Sequence, residues 1–190
     1  MTDLWRLPES VTCGGVSYAI RTDFRDVLRV LNHFDDPNFL NEEKWEICIR
    51  IMVPDWRTVP AEKLPELASA LQEFIDMGMK EEGVRKPVVM NWQQDAALII
   101  PGINKVIGKE VRSVPYMHWW TFLGAYMEMG EGLYSEVVNI REKRALGKKL
   151  EKHEREFYQK NKSLIDLKKR YSDEDLEEQE RLLALLEKGI

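Results

Sequence analysis

The sequence predicts a mainly α fold: a helical domain of six to seven helices, with an N-terminal β-hairpin and a long charged C-terminal helical extension. Three observations predict it. One Gly-Gly pair sits between short alternating apolar runs near the N-terminus. Apolar residues then recur at helical steps of three and four up to Leu186. After Leu133 the apolar residues thin out and charge takes over. The boundary is drawn after Gly132, giving a core domain over 1–132 and an extension over 133–190.

The hairpin is read from "RLPESVTCGGVSYAIRTDF". Val11 leads into Cys13-Gly14-Gly15, and Val16, Tyr18 and Ile20 alternate after it. Gly-Gly supplies the positive φ angles of a tight turn, and a hairpin this short must pack on something. Phe24, Val27, Leu28, Leu31 and Phe34 form the face of a first helix, capped by Thr22 or Asp23. Asn41 is expected to cap a second, with Trp45, Cys48, Ile49 and Met52 in line and Pro54 at its end. A third starts near Pro60, with Leu64, Leu67, Ala68, Leu71, Phe74 and Ile75 as its stripe and Gly78 closing it. Residues 79 to 91 read as a loop. A fourth helix runs from about Trp92 through Ile107, and Pro101-Gly102 should kink or split it. "VPYMHWWTFLGAYMEMGEG" is apolar around most of a helix, so it should be buried. Trp119 and Leu123 anchor the core there, and Gly124 lets a neighbouring backbone approach. Beyond Leu133, Arg141 to Arg170 holds 12 Lys or Arg against 5 Asp or Glu, whereas the last 20 residues hold 2 against 7. That opposition suggests that the two segments fold back on each other or pair between chains. Ser172, with Asp175 three residues on, reads as a capping box.

The totals exclude several classes. A net charge of -5 disfavours a general nucleic-acid binder. Cys13 and Cys48 stand far apart and in no C-x-x-C pair, and so read as free thiols of a reducing compartment. "MTDLWRLPES" lacks the basic start and apolar run of a signal peptide, and no stretch nears the roughly 18 apolar residues of a membrane span. A soluble intracellular protein is expected.

Catalytic motifs fail on inspection. "GINKVIGKE" spaces its Gly-Lys one residue too far for a phosphate loop and puts Glu110 where a magnesium-binding hydroxyl belongs. "HEREF" offers one imidazole, His153, where a zinc helix needs two. "DPNFLN" lacks the glycine of a calcium loop. His118 reads as a core or interface histidine and Asp95 as a hydrogen-bonded structural acid. No enzyme activity, cofactor or metal is expected. Arg141, Lys143, Arg144, Lys148 and Lys149 read as solvated charge, with an acidic protein or phosphates as the functional alternatives.

Two stretches carry a resemblance. One is "DAALIIPGINKVIGKEVRSVPYMHWWTFLGAYMEMGEG", centred on His118-Trp119-Trp120 and Phe122. The other is "IREKRALGKKLEKHEREFYQKNKSLIDL", with Gly147-Lys148-Lys149-Leu150, Phe157-Tyr158 and Asn161. Together they resemble the bacteriophage gene-product-fifteen family over about Thr22 to Leu167. The resemblance implies a gene of the tail-morphogenesis region beside the tape-measure gene. It implies a tail assembly chaperone that keeps the tape-measure protein soluble while tail-tube subunits polymerise. The expected partners are the tape-measure protein and the tail-tube protein, with self-association also open, and the expected place is the host bacterial cytoplasm. The alternative is a structural virion component, a tail or head-tail connector subunit. A chaperone needs adaptable apolar surface, which eight methionines and neighbouring aromatics supply. The candidate partner-binding residues are Trp120, Phe122, Tyr126, Met129, Arg141, Arg144, Lys148 and Lys149.

Overall fold

A computed structural model describes residues 5–79, 87–178 and 181. Strands β1 (Ser10–Cys13) and β2 (Val16–Ala19) pair antiparallel, Ser10 opposite Ala19 and Cys13 opposite Val16. Gly14 and Gly15 take φ of 57° and 76°, the two left-handed residues that a two-residue hairpin turn demands. The hairpin packs on helix α3 (Leu64–Ile75). There the Gly14 amide donates to the Glu66 carboxylate at 2.6 Å and the Cys13 thiol to the Lys63 carbonyl.

Helix α1 (Phe24–Phe34) is capped by Asp23, whose carboxylate accepts from the Arg25 amide at 2.9 Å. Helix α2 (Asn41–Met52) begins one residue earlier than its expected cap implied. Leu40 holds the cap position, its amide donating to Glu43 at 2.7 Å, so Asn41 is already helical. Pro60 leads into a single 3-10 turn, and α3 proper starts at Leu64 with Pro65 in its first turn. At its end both Met77 and Gly78 are left-handed, and the Gly78 amide donates to the Glu73 carbonyl at 2.8 Å. That bond retrieves a carbonyl left over at the helix end.

Helix α4 (Ala96–Ile107) runs through Pro101 without splitting. The proline costs one backbone bond, which the flanking turns tolerate. The helix also starts four residues later than expected, because the Asn91 side chain accepts from the Gln93 and Gln94 amides and holds 92–94 in a turn. A Cβ on Gly102 would lie 2.5 Å from the Met129 sulfur, whereas one on Gly124 would meet open space. The backbone approach expected at Gly124 is therefore not found, and the glycine under close contact is Gly102, against the Met129 side chain.

After α5 (Trp119–Met127) come α6 (Leu133–Ala145), α7 (Lys152–Lys160) and α8 (Lys162–Ile165), and residues 173–178 are again helical. Ser172 and Asp175 exchange the two bonds of the expected capping box, 3.1 and 3.2 Å. The protein is mainly α with an N-terminal hairpin. Among the described residues its helices outnumber the six to seven expected, because Gly147, at φ 66°, and Asn161 break the extension into pieces. The last part of the expected apolar period, to Leu186, lies outside the described residues, as do 80–86 of the expected loop.

One core joins hairpin and helices α1 to α5, with Val27, Cys48, Met52, Leu67, Leu71, Ile103 and Trp119 almost wholly buried. A second, smaller cluster of Val137, Ile140 and Ile165 sits beneath α6, α7 and α8, walled by Leu98, Leu150, Phe157 and Leu164. The extension is thus a packed unit against α4 rather than a solvated rod.

Candidate partner-binding surface

His118-Trp119-Trp120 is a joint between three elements. The His118 ring accepts from the Trp120 amide through Nδ1 at 3.0 Å, capping α5. An accepting Nδ1 puts the ring proton on Nε2, which donates to the Pro8 carbonyl at 3.0 Å, ahead of β1. Each indole N–H donates to a terminal carbonyl of α3: Trp119 to Ile75 and Trp120 to Phe74, both at 2.8 Å. Helix ends leave such carbonyls without partners, so the two tryptophans cap the helix they pack on. The chain on both sides of His118 is tied to the start of α1. The Trp119 amide donates to the Thr22 carbonyl at 2.7 Å and the Phe24 amide to that of Met117 at 3.0 Å. Phe24 and Phe122 stack with centroids 4.4 Å apart.

This joint relocates half of the expected partner face. Phe122 is 3% exposed and belongs to the core. It was expected outside because a helix apolar all round does not reveal which stripe turns inward. Trp120 is half-buried with its N–H committed to Phe74. Tyr126 is half-buried and bonded to the Tyr134 hydroxyl at 2.8 Å, and Met129 is half-buried against Gly102. None of the four forms an open patch.

Arg141 is a second departure. It is 5% exposed, although its sequence surroundings are charged. Its guanidinium meets Asp95 bidentately at 2.7 and 2.9 Å and also donates to the carbonyls of Ile165, Leu164 and Val89. All five N–H groups are thereby used. Asp95, 1% exposed, accepts in addition from the Asn91 amide at 2.9 Å. Asp95 is the hydrogen-bonded structural acid that the sequence suggests, and its partner comes from the supposed solvated face. Nearby, Lys143 and Asn139 bond to the buried Glu154. The Lys143 ammonium, then the Glu151 amide, holds the Glu154 carboxyl below the usual carboxylate range.

Arg144 lies over the Tyr158 ring at 4.1 Å and pairs with Asp166. Lys148 and Lys149 are exposed. Toward the C-terminus Arg170 returns to Asp36 and to the Asn32 carbonyl, and the Asp173 amide donates to Asn38 at 2.8 Å. Among the described residues, no ion pair joins the basic stretch around α7 to the acidic stretch 173–178.

The open apolar surface lies elsewhere. A cleft of about 550 Å3 lies between α2 and α3, floored by the buried or half-buried Trp45, Ile49, Trp56, Leu64 and Ala68. Arg50 and Arg57 sit over the Trp56 ring at 5.0 and 4.8 Å, while Glu42 and Glu46 edge the α2 side. The sequence placed Trp45 in the apolar stripe of the second helix, and Trp56 was passed over. The available signal was a tryptophan between Pro54 and Pro60, outside any helical stripe. A wider cleft of about 890 Å3, with Leu31, Trp92, Leu123 and the half-exposed Met79 and Met127, opens beside α5.

Both thiols are buried. Burial pushes Cys48 up to about 12, and burial followed by the Glu66 charge raises Cys13. Among the described residues, no group of three or more His, Cys, Asp or Glu side chains is placed to hold a metal ion, and no helix is long and apolar enough to cross a membrane. A search of curated proteins and one of solved structures each return no match to the chain. The family model described as Bacteriophage Gp15 protein matches residues 3–167. That span takes in the hairpin, the His-Trp-Trp joint, the Asp95–Arg141 pair and the second cluster, which are the parts that hold the fold together. The chain belongs to the bacteriophage Gp15 family.

Proposed function

We propose that the protein is a tail assembly chaperone that binds the tape-measure protein of its phage and keeps it soluble while the tail tube forms. Membership of a bacteriophage family gives a phage-associated structural or morphogenetic role, and the chaperone reading refines it. The observation that carries the refinement is the open cleft between α2 and α3. Its floor is aliphatic and aromatic and its edge is charged, which suits the apolar stripe of an amphipathic helix. A long helical client exposes such a stripe until its tube closes round it, and aggregates unless the stripe is covered. Single weak contacts repeated along a long client hold it and still release it to polymerising subunits. The reading requires neither nucleotide nor metal and places the protein in the host cytoplasm.

Co-expression with the phage's own tape-measure protein tests it. The client should stay soluble and be pulled down with the wild-type chain. Ala68→Glu, which sets a carboxylate on the cleft floor, should abolish capture while leaving far-UV circular dichroism unchanged. An insoluble client, or recovery of the protein at fixed copy number in purified virions, transfers the assignment to a structural virion subunit.

A further inference from the structure

The stretch Arg141 to Arg170 carries 12 cations. Four of them are neutralised in place: Arg141 by Asp95, Lys143 by Glu154, Arg144 by Asp166 and Arg170 by Asp36. Lys148, Lys149, Lys152 and Arg155 are exposed and have no carboxylate partner among the described residues. They gather at the start of α7, where the helix dipole adds to their field. The same chain carries the opposite surface. In the helical residues 173–178, Asp173, Glu174, Asp175, Glu177 and Glu178 are all exposed. Their placement is fixed by the Asp173 amide on Asn38 and by Arg170 on Asp36 and Asn32, which holds this stretch on the loop between α1 and α2. The acidic stretch is therefore committed to one site while the cations of α7 stay unneutralised.

We propose that the protein self-associates, the acidic stretch 173–178 of one copy docking on the basic start of α7 of another. Charge complementarity selects this occupant. Glu174 and Glu178 stand one helical turn apart on one face, and Lys152 and Arg155 do likewise on theirs. Nucleic acid fits the surface less well. Phe157 packs in the second cluster and Tyr158 is covered by Arg144 and bonded to Asp166, so neither is free for bases to stack on, and the exposed His153 ring stands beside the Glu151 carboxylate at 3.5 Å. The rest of the chain keeps only 16 of the 28 cations but 28 of the 33 acids, and this body repels a polyanion. Self-association is independent of the client reading, and either can fail alone.

The test uses the full chain and light scattering after gel filtration. At low salt the mass should exceed the single-chain 22.3 kDa and fall to it near about 0.5 M NaCl, where screening is short-ranged. Lys148→Glu/Lys149→Glu/Lys152→Glu should weaken association at least about tenfold. Glu174→Lys/Glu177→Lys/Glu178→Lys should do the same. Each variant alone is self-repelling, but an equimolar mixture restores both contacts and should associate again. A wild-type chain that stays single at low salt and high concentration overturns the proposal. So does association that survives both reversals, or a mixture that fails to recover it. A monomeric wild-type chain that binds a single-stranded DNA oligonucleotide through these lysines overturns it in favour of nucleic acid.

Discussion

Arg141→Leu is expected to undock the C-terminal unit from an intact core. The substitution leaves the Asp95 carboxylate, 1% exposed, with one of its three hydrogen bonds, that from the Asn91 amide. Breaking a buried pair from one side costs about 3–5 kcal/mol, because the surviving charge is uncompensated. Three carbonyls, of Val89, Leu164 and Ile165, lose donors as well, each worth roughly 1 kcal/mol. The cluster that holds this unit together has only three fully buried side chains, Val137, Ile140 and Ile165. A loss of that size exceeds what so small a cluster supplies, so α6 to α8 should detach first. Two probes separate the events. All six tryptophans lie within residues 5–120, so their fluorescence reports the core, while far-UV circular dichroism reports every helix. In urea the wild-type transitions should coincide. In Arg141→Leu part of the dichroism should be lost at lower urea than the fluorescence. Asp95→Leu combined with Arg141→Leu removes both charges and should recover about 2 kcal/mol or more relative to the single variant. Coincident transitions shifted by less than about 1 kcal/mol would refute the reasoning.

Three further outcomes follow from the same contacts. Trp119→Ala should cost about 3–5 kcal/mol in urea denaturation, since the ring is 1% exposed and its N–H serves the Ile75 carbonyl, whereas half-buried Trp120→Ala should cost about 1–2 kcal/mol. Neither thiol should react with a disulfide reagent in the native protein, and both should react in denaturant, because burial excludes the reagent and holds Cys48 at about 12 and Cys13 above its ordinary value. Glu154 is held below its ordinary value of 4.5, so its contribution is full above that value and is lost as pH falls through the depressed folded value. Thermal melts should show an acid-side loss below about pH 4.5 that is missing from Glu154→Gln.

How much was legible depended on how local each determinant is. Gly14-Gly15 declared the hairpin, and the stripe from Leu64 to Ile75 declared α3, because turn chemistry and periodicity are read within a few residues. The starts of α2 and α4 were misplaced, since a glutamate reaching back to Leu40 and an Asn91 side chain holding a turn are choices among near-equal caps. Arg141 was misread for a different reason. Its neighbours in sequence are charged, while the acid that buries it is 46 residues away, and no local pattern carries that information. Phe122 fell to the degeneracy of a helix apolar on all sides. The cleft between α2 and α3 was illegible as a surface because Trp45, Ile49, Leu64 and Ala68 also satisfy helical stripes, and a stripe does not say which of its residues a neighbour leaves uncovered.

Most of the residues that make the family recognisable are ones that close the structure. His118 caps α5 and ties it to Pro8, Trp119 and Trp120 cap α3, and Asn161 ends α7 by donating to the Phe157 carbonyl. Gly147 supplies the left-handed turn between α6 and α7. Each has a geometric duty inside the chain, and the ring nitrogens of His118, Trp119 and Trp120 are all spent on it, so this part of the motif specifies a frame. What stays open is the floor of the α2–α3 cleft, the carboxylates of 173–178 and, from the motif itself, the exposed Lys148 and Lys149. A change at His118 or Trp119 should therefore lower the yield of folded protein and every activity together. A change at Ala68 or Lys149 should remove one interaction and keep the fold. Sorting variants by that division, soluble yield against binding, separates the scaffold from the surfaces that act.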